Sequence, residues 1–195
     1  PNTPDLKTVM ENLYRPEDGW LVRHSMIAAH VSCAVAAQLG WTSEQTYLKL
    51  TVAAIMHDML LPKMDTDEEI WLQALSGEKT SQNPEVRMFL QHPLEGAQLL
   101  RRFRDIPPDT DKIVLEHHEL PNGSGFPRGL TGTQISPLGC LFILAHNVAE
   151  VMMRETQGSV RWKMDDLITA LGAERWQAGN FKKIWQSFEK TQLFG

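Results

Sequence analysis

The residues of this sequence best suited to chemistry are its histidines. Seven are present: His24, His30, His57, His92, His117, His118 and His146. Any one histidine on an apolar helix is usually a core residue with a satisfied hydrogen bond. Several buried imidazoles on separate helices are costly unless they share a partner. A metal ion is such a partner because it accepts several neutral imidazoles at once, so the set as a whole favours a metal site.

One carboxylate strengthens this prediction. Asp58 directly follows His57 in the apolar segment "IMHDM", where a buried negative charge needs compensation by a cation. A carboxylate can also bridge two metal ions, which a single histidine nitrogen cannot do. The pair therefore favours a metal site with one or two ions.

A loop rich in glycine and proline follows the two adjacent histidines, in "HHELPNGSGFPRGL" (117–130). Gly123 and Gly125 permit positive φ and close backbone approach, so amide N–H groups of the loop could face an anionic ligand. Arg128 can supply positive charge, and Phe126 can offer a face to a nucleobase. The alternative is a simple turn between two helices, with Phe126 in the core.

Helical periodicity dominates the chain, so the predicted fold is an all-α helical bundle. Residues 1–21 are predicted to be an N-terminal helical extension and 22–195 the domain itself. Thr42 is the expected N-cap of the second helix, and Pro93 is expected to break a later one. The helices are predicted over 22–39, 42–60, 65–75, 85–103 in two pieces, 109–119, 136–155, 164–173 and 178–192.

The composition narrows the class of protein. The 195 residues are 42% apolar, enough for a core, and their net charge of −5 argues against a nucleic-acid polymer as partner. Cys33 and Cys140 are interpreted as buried free thiols in a reducing compartment. With no membrane-length apolar run and no signal peptide, the expected location is cytoplasmic, without a membrane partner. Since the chain begins at Pro1, whether it lacks an N-terminal regulatory domain is an open question. The oligomeric state is open as well.

The ordered set of motifs resembles a known family. The His57-Asp58 pair, preceded by His24, is similar to the pattern of HD-type metal-dependent phosphohydrolases. The loop resembles the signature of their HD-GYP subfamily, which reads roughly HHE, two residues, DGxGYP, one residue, GL. The segments "QHPLEGAQLL" and "LTGTQISPLG" match further parts of that pattern, so the resemblance runs from about His24 to Glu150.

The resemblance implies a ligand set. His24, His57 and Asp58 would hold a first metal, and Asp58 would bridge to a second. His146 would complete the first site in place of an aspartate, 29 residues after the first histidine of the adjacent pair. The second metal would be held by His92, His117 and His118. His30 is left over and is interpreted as a helix-surface residue or one lying just behind the ligands.

Departures from the family pattern also carry predictions. The glutamate that holds a third metal in some members is Trp20, so two metals are expected. Six imidazoles with one carboxylate favour a transition metal over Mg or Ca, with Fe or Mn expected and Ni or Zn as alternatives. The lysine of the family's HDxGK motif is Leu61; Lys63 either replaces it or faces solvent. Asn122 replaces an aspartate, Phe126 a tyrosine and Cys140 an arginine.

As function, the resemblance implies a cyclic di-GMP phosphodiesterase. A hydroxide bridging the two metals would attack the phosphorus, with His57 and Asp58 as the catalytic residues. The predicted substrate-binding residues are Asn122, Gly123, Gly125, Phe126, Arg128 and Lys63. One alternative is a catalytically degenerate domain that acts as a cyclic di-GMP receptor or a protein-interaction module. Another is a phosphohydrolase for a different nucleotide or phosphate ester.

Overall fold

The computed structural model describes residues 19–61, 82–154 and 163–193. Within these ranges the chain is helical, and its one β-type pairing is an isolated bridge between Asn122 and Thr131. This confirms the predicted all-α fold. The helices are α1 (Gly19–Gln38), α2 (Glu44–Met56), α3 (Pro84–Leu100), α4 (Thr110–Glu116), α5 (Pro137–Arg154), α6 (Met164–Leu171) and α7 (Phe181–Phe188), with a 3₁₀ turn at Ala173–Trp176.

The bundle is organised around α5. This helix packs against α1, α2, α4, α6 and α7, while α3 packs mainly on α4. Its central residues Phe142 to Ala145 are almost completely buried, so apolar side chains line it on all sides over this stretch. No helix in the described ranges is long and apolar enough to cross a bilayer.

The ends of two helices differ from the predictions in a way that matters for the site. Ser43, not Thr42, caps α2, because its hydroxyl oxygen accepts the Thr46 amide at 3.1 Å. The same helix ends at Met56 instead of continuing to residue 60. Asp58 therefore lies in a tight turn, closed where the Leu61 amide donates to the Asp58 carbonyl at 2.9 Å. The helix of 109–119 likewise ends early, at Glu116, and leaves the adjacent histidines in a turn.

The predicted break at Pro93 is wrong, since α3 runs unbroken from Pro84 to Leu100. Proline cannot donate to the carbonyl four residues earlier, which here belongs to Phe89. That carbonyl instead accepts a hydrogen bond from the His92 ring through Nδ1, at 2.5 Å. The orphaned backbone acceptor is thereby satisfied, and the imidazole is held in place.

Some predictions lie outside the described residues. These are the extension at 1–21 apart from its last three residues, the helix at 65–75 and the role of Lys63. Helix α1 begins at Gly19, three residues before the predicted start at 22. Gly40 follows α1 with φ +75°, a conformation suited to a helix C-terminus.

Candidate metal centre

Seven side chains from five helices or helix ends meet in the interior. His24 comes from α1 and His146 from α5, whereas the others lie in α3 or just after α2 and α4. All seven residues are buried, and none of them is more than 7% exposed. The cluster consists of His24, His57, Asp58, His92, His117, His118 and His146. These are the seven residues of the predicted ligand set, and His30 lies outside the cluster on the exposed face of α1.

The ligand atoms of the cluster form two overlapping groups. One consists of His24, His57, Asp58 and His146, the four residues expected around the first metal, with ligand atoms all within 4.8 Å of one another. The other consists of Asp58, His117, His118 and His146. It differs from the expected second group by containing His146 in place of His92.

His92 nevertheless lies at the centre of the second half of the cluster. Its Nε2 is 3.0 Å from Nε2 of His117 and 3.2 Å from Oδ1 of Asp58. The two oxygens of Asp58 face different halves, because Oδ2 lies 2.9 Å from Nε2 of His57. The carboxylate therefore stands between the two groups of imidazoles, as a bridging ligand would.

Local backbone geometry sets the orientation of three rings. His57, His92 and His117 each donate from Nδ1 to the carbonyl three residues earlier, at 2.9, 2.5 and 2.5 Å respectively. A neutral imidazole with its proton on Nδ1 has an unprotonated Nε2. In its neutral form each of the three rings thus presents a lone pair toward Asp58, the arrangement in which histidine ligates metal.

This arrangement fits a metal ion. His92 and His117 direct two unprotonated Nε2 atoms at each other over 3.0 Å, which is repulsive unless a cation or a proton lies between them. Asp58 Oδ1 and His24 Nδ1 are buried without a hydrogen-bond partner. Buried polar atoms without partners are rare and call for an unseen ion or water. The donor set of the cluster can therefore hold metal.

The electrostatics of the cluster favour the ligating protonation states at Asp58 and at four of the histidines. Burial, followed by the charge of neighbouring imidazoles, lowers the pKa of His24 to about 3. Burial is also the main reason why the pKa of His117 is lowered to about 4. Burial also lowers the pKa of His118 and His146 well below its usual value. Burial alone would raise the pKa of Asp58, but His57 and the hydrogen-bonding imidazoles hold it well below the ordinary range. Burial alone would lower the pKa of His57, but the facing Asp58 raises it above its usual value. In the metal-free cluster a proton on His57 therefore faces the anionic carboxylate, and a metal ion would replace that proton; the donor set itself suits a transition metal.

Trp20 contributes an aromatic ring where a third metal would need a ligand. Its indole stacks on His24 with ring centroids 4.8 Å apart and planes inclined by 8°. The indole therefore covers one face of the His24 ring and offers no acceptor lone pair. Two metals therefore stay the prediction for this site.

The glycine-rich loop folds back on its own backbone. Gly123 has φ +80°, whereas Gly125 lies against the backbone of His118, Glu119 and Leu120 so closely that a Cβ would overlap it. The loop's amides are largely engaged within the chain. Those of Gly123 and Phe126 donate to backbone carbonyls, that of Ser124 to the Asn122 side chain, and those of Arg128 and Leu130 to Glu119. The expectation that these amides face an anion does not hold for this arrangement.

Phe126 is buried beside the inner edge of the metal cluster. It is 3% exposed and stacks on His118 with centroids 4.6 Å apart. Phe126 also joins a small apolar cluster with Leu61, Val86, Phe89 and Leu90. Leu61 occupies the position that the resemblance gives to lysine, so apolar packing fills this side of the metal cluster. The alternative interpretation of Phe126, as a core residue, describes the observed packing.

Two buried glutamates organise the loop, a role that the sequence analysis missed. Glu116 accepts from the Arg128 guanidinium at 3.1 Å and from the Ser136 amide and hydroxyl at 3.0 and 2.5 Å. It thus joins the turn carrying the adjacent histidines to the loop and to the start of α5. The detectable signal was a carboxylate on each side of the pair, in "EHHE". Arg128, expected to face substrate, has Glu116 as its partner.

A cavity of about 220 Å³ opens against the cluster at His117, His118 and His146, and we call it the inner cavity. Its wall includes Asn147 and Glu150 from α5 and Arg175 from the 3₁₀ turn. None of these three was identified from the sequence. Arg175 lies 58 residues after His117, and nothing in the local sequence connects it with the histidines.

Comparison with known proteins agrees with these observations. The sequence profile of the HD domain matches residues 8–164. Cyclic di-GMP phosphodiesterase response regulator RpfG of Xanthomonas campestris pv. campestris (strain 8004) is 31% identical over 151 residues, covering 75% of this chain and 37% of that protein. Cyclic di-GMP phosphodiesterase PA4108 of Pseudomonas aeruginosa is 28% identical over 124 residues, covering 64% and 28%. The chain thus spans about a third of the length of these curated relatives.

A solved structure shares the fold. Bd1817, an HDG"Y"P protein from Bdellovibrio bacteriovorus, superposes with a TM-score of 0.60 at 23% identity, covering 86% of this chain and 50% of that one. The helical fold, the buried His/Asp cluster and the matching profile lead to one conclusion. The chain belongs to the HD domain family.

Proposed function

We propose that this chain is a metal-dependent phosphodiesterase whose substrate is cyclic di-GMP. The observation that carries the proposal is the approach of Nε2 of His92 to Nε2 of His117, 3.0 Å apart beside Asp58, although both rings already donate from Nδ1 to backbone carbonyls. A cation between the two nitrogens would remove their repulsion, and His117 also lines the inner cavity, where a ligand can enter. The names of RpfG and PA4108 supply the substrate class for the proposal.

Two transition-metal ions would be held by the cluster, with Fe or Mn expected and Ni or Zn as alternatives. His24, His57 and His146 would ligate one ion, and His117 with His118 the other. His92 would add to the second site, and Asp58 would bridge the two. When bound, such a pair of ions neutralises charge on a phosphoryl group and lowers the pKa of water at the site.

The protein's own contribution is to orient donors and exclude bulk water. Carbonyls at Ala54, Phe89 and Val114 hold three rings with Nε2 inward, so the donors need no rearrangement when an ion binds. Preorganised donors of this kind are the usual source of electrostatic stabilisation in enzymes. Asp58, with an oxygen toward each half, fixes where the two groups of imidazoles meet.

The loop is proposed to shape the substrate cavity indirectly. Phe126 lines the inner cavity while stacking on His118. Asn122, Gly123, Gly125 and Arg128 maintain the loop that carries Phe126, through the turn and the contacts with the buried glutamates. Lys63 stays a prediction for substrate binding, since it lies outside the described residues.

A second function is favoured by a specific observation. Where the family resemblance places a lysine and an arginine, this chain has the buried Leu61 and Cys140. A domain that binds cyclic di-GMP as a receptor, without hydrolysis, would tolerate such losses more readily than an enzyme.

Turnover measured on a metal-quantified sample tests the proposal. Purified protein is loaded with Fe or Mn anaerobically, its metal content is measured by mass spectrometry, and the same sample is incubated with cyclic di-GMP. Linear pGpG or GMP appearing with two metals per chain supports the phosphodiesterase. Binding without product from a fully metallated sample would support the receptor instead.

A further inference from the structure

The inner cavity adjoins a second cavity, and the two share lining residues. This outer cavity has a volume of about 420 Å³ and is lined by Leu120, Pro121, Asn122, Glu174, Arg175, Gln177 and Ala178. Leu120 and Arg175 line both cavities. The inner cavity, at about 220 Å³, is smaller than most ligand pockets, which have volumes of roughly 300–1,000 Å³. A ligand larger than a small phosphate ester can therefore gain room by extending past these two residues into the outer cavity.

Arg175 is the one cationic side chain among the described residues that line the two cavities. It is exposed, and within the described part of the chain its guanidinium makes a cation–π contact, with Cζ 5.3 Å from the Trp176 ring centroid. Glu174 lines the outer cavity beside it, yet no ion pair between the two is present in that part of the chain. The guanidinium keeps its hydrogen-bond donors available for a ligand.

The backbone that carries this arginine is firmly anchored. Trp176 is fully buried, donates from its indole nitrogen to the Leu171 carbonyl at 3.3 Å, and stacks almost parallel to Trp185 at 6.2 Å. Gln177 closes the turn by donating to the Ala173 carbonyl at 2.8 Å. The 3₁₀ turn therefore presents Arg175 at the junction of the cavities from a rigid support, which limits the entropy lost on binding.

We infer that Arg175 contacts a phosphate group of the substrate other than the one at the metal cluster, and so selects substrates with two phosphodiester groups. The inference rests on the proposed function for the identity of the substrate. A guanidinium recognises phosphate through two parallel hydrogen bonds, which are stronger than neutral ones. The metal cluster provides charge for the first phosphate only, and the outer cavity provides room for the remainder of a cyclic dinucleotide.

The test compares two ligands and three variants. Metal-loaded wild type, Arg175→Ala, Arg175→Lys and the control Arg104→Ala are assayed for metal content and thermal unfolding. Arg104 is an exposed arginine that lines neither cavity. Binding of cyclic di-GMP is measured calorimetrically with its nonhydrolysable bis-phosphorothioate analogue. Turnover is measured with cyclic di-GMP and with bis(4-nitrophenyl) phosphate, a diester with one phosphate.

Loss of one charged hydrogen-bonding group is expected to weaken cyclic dinucleotide binding by about 10- to 100-fold in Arg175→Ala. For cyclic di-GMP the loss should appear mainly as a higher KM of Arg175→Ala. For bis(4-nitrophenyl) phosphate, kcat/KM should stay within about twofold of the wild-type value. Arg175→Lys should recover part of the affinity, and Arg104→Ala should match wild type.

Unchanged dinucleotide binding in Arg175→Ala, or an equal loss with both substrates, would overturn the inference. Failure of the proposed function gives a different result. Metal-loaded wild type that binds the dinucleotide without hydrolysing it ends the phosphodiesterase proposal, and the binding comparison still decides the role of Arg175. Absence of any dinucleotide binding by wild type would overturn both.

Discussion

His92 and His117 direct their Nε2 atoms at each other over 3.0 Å, although both rings already donate from Nδ1 to backbone carbonyls. These two residues come from different helices, and their meeting is a property of the packed bundle. Two unprotonated nitrogens at this distance store repulsion unless a positive charge lies between them. The pair therefore links the fold directly to metal binding.

The first prediction concerns metal and stability. Because a bound ion relieves the repulsion in the native state and has no preformed site in the unfolded chain, removal of metal should lower the unfolding temperature. Free ion at about a hundredfold excess over its Kd stabilises by about 2.7 kcal/mol. Scanning calorimetry with and without a chelator measures the difference. His92→Ala should reduce both the metal content and the shift, whereas His30→Ala should leave both unchanged. Equal behaviour of the two variants would contradict the assigned cluster.

The second prediction concerns Pro93. Pro93→Ala restores a backbone N–H that competes with His92 Nδ1 for the Phe89 carbonyl. Helix α3 should become more stable, since an interior proline costs up to about 3 kcal/mol. Metal affinity should fall by roughly 10- to 100-fold, as expected when a hydrogen bond that orients a ligand is weakened.

Metal titration and denaturant unfolding of the metal-free protein separate these two effects of Pro93→Ala. Pro84→Ala is the matched control because Pro84 lies at the start of the same helix, where no intrahelical bond is lost. Metal affinity unchanged in Pro93→Ala would show that the proline has no part in orienting His92.

The third prediction concerns the loop. A Cβ at Gly125 would overlap the backbone of Glu119 and Leu120, so Gly125→Ala must displace the loop from the adjacent histidines. The free energy of unfolding should fall by roughly 1–3 kcal/mol, and metal content should decrease. Gly19→Ala, with no heavy atom of the described residues within 4 Å of the added Cβ, is the control and should behave as wild type. Urea unfolding with metal analysis measures both quantities; a stable, fully metallated Gly125→Ala would refute the close-packing argument.

The fourth prediction concerns the two thiols. Burial, with a contribution from Glu116, raises the pKa of Cys140 to about 12 from its ordinary value of 9.0. Its thiolate population is therefore negligible near pH 8, and the native protein should react with a thiol reagent through Cys33 alone. Folding favours the neutral thiol of Cys140. Its contribution to the free energy of unfolding is therefore complete below pH 9 and is lost as the pH rises toward 12.

Counting reactive thiols with and without denaturant checks this assignment. One thiol at most should react in the folded protein and two in the unfolded one. Cys33→Ala should abolish the native reaction, while Cys140→Ala should leave it intact. Rapid modification of Cys140 in the native state would show that this part of α5 opens readily.

Part of the structure follows from short-range chemistry that the sequence displays. The all-α fold could be predicted because apolar residues recur at helical spacing. His24, His57, His146 and Asp58 could be singled out because buried polar groups in apolar segments need a common partner. The full cluster, with His92, His117 and His118 and without His30, was implied by the family resemblance. The wrong prediction of a helix break at Pro93 also has a local cause. The neighbouring His92 ring donates to the carbonyl that the proline leaves without a partner, so the helix continues.

Only the tertiary structure decided the features that depend on residues distant in the chain. The packing of α4 beside α3 determines that His117 faces His92 and that Phe126 is buried on His118. The buried Trp176 determines where Arg175 lies. Sequence periodicity specifies which face of a helix is buried, but not which partner it meets. Packing of the whole bundle selects the partner, and with it the direction in which each ligand and each charge points.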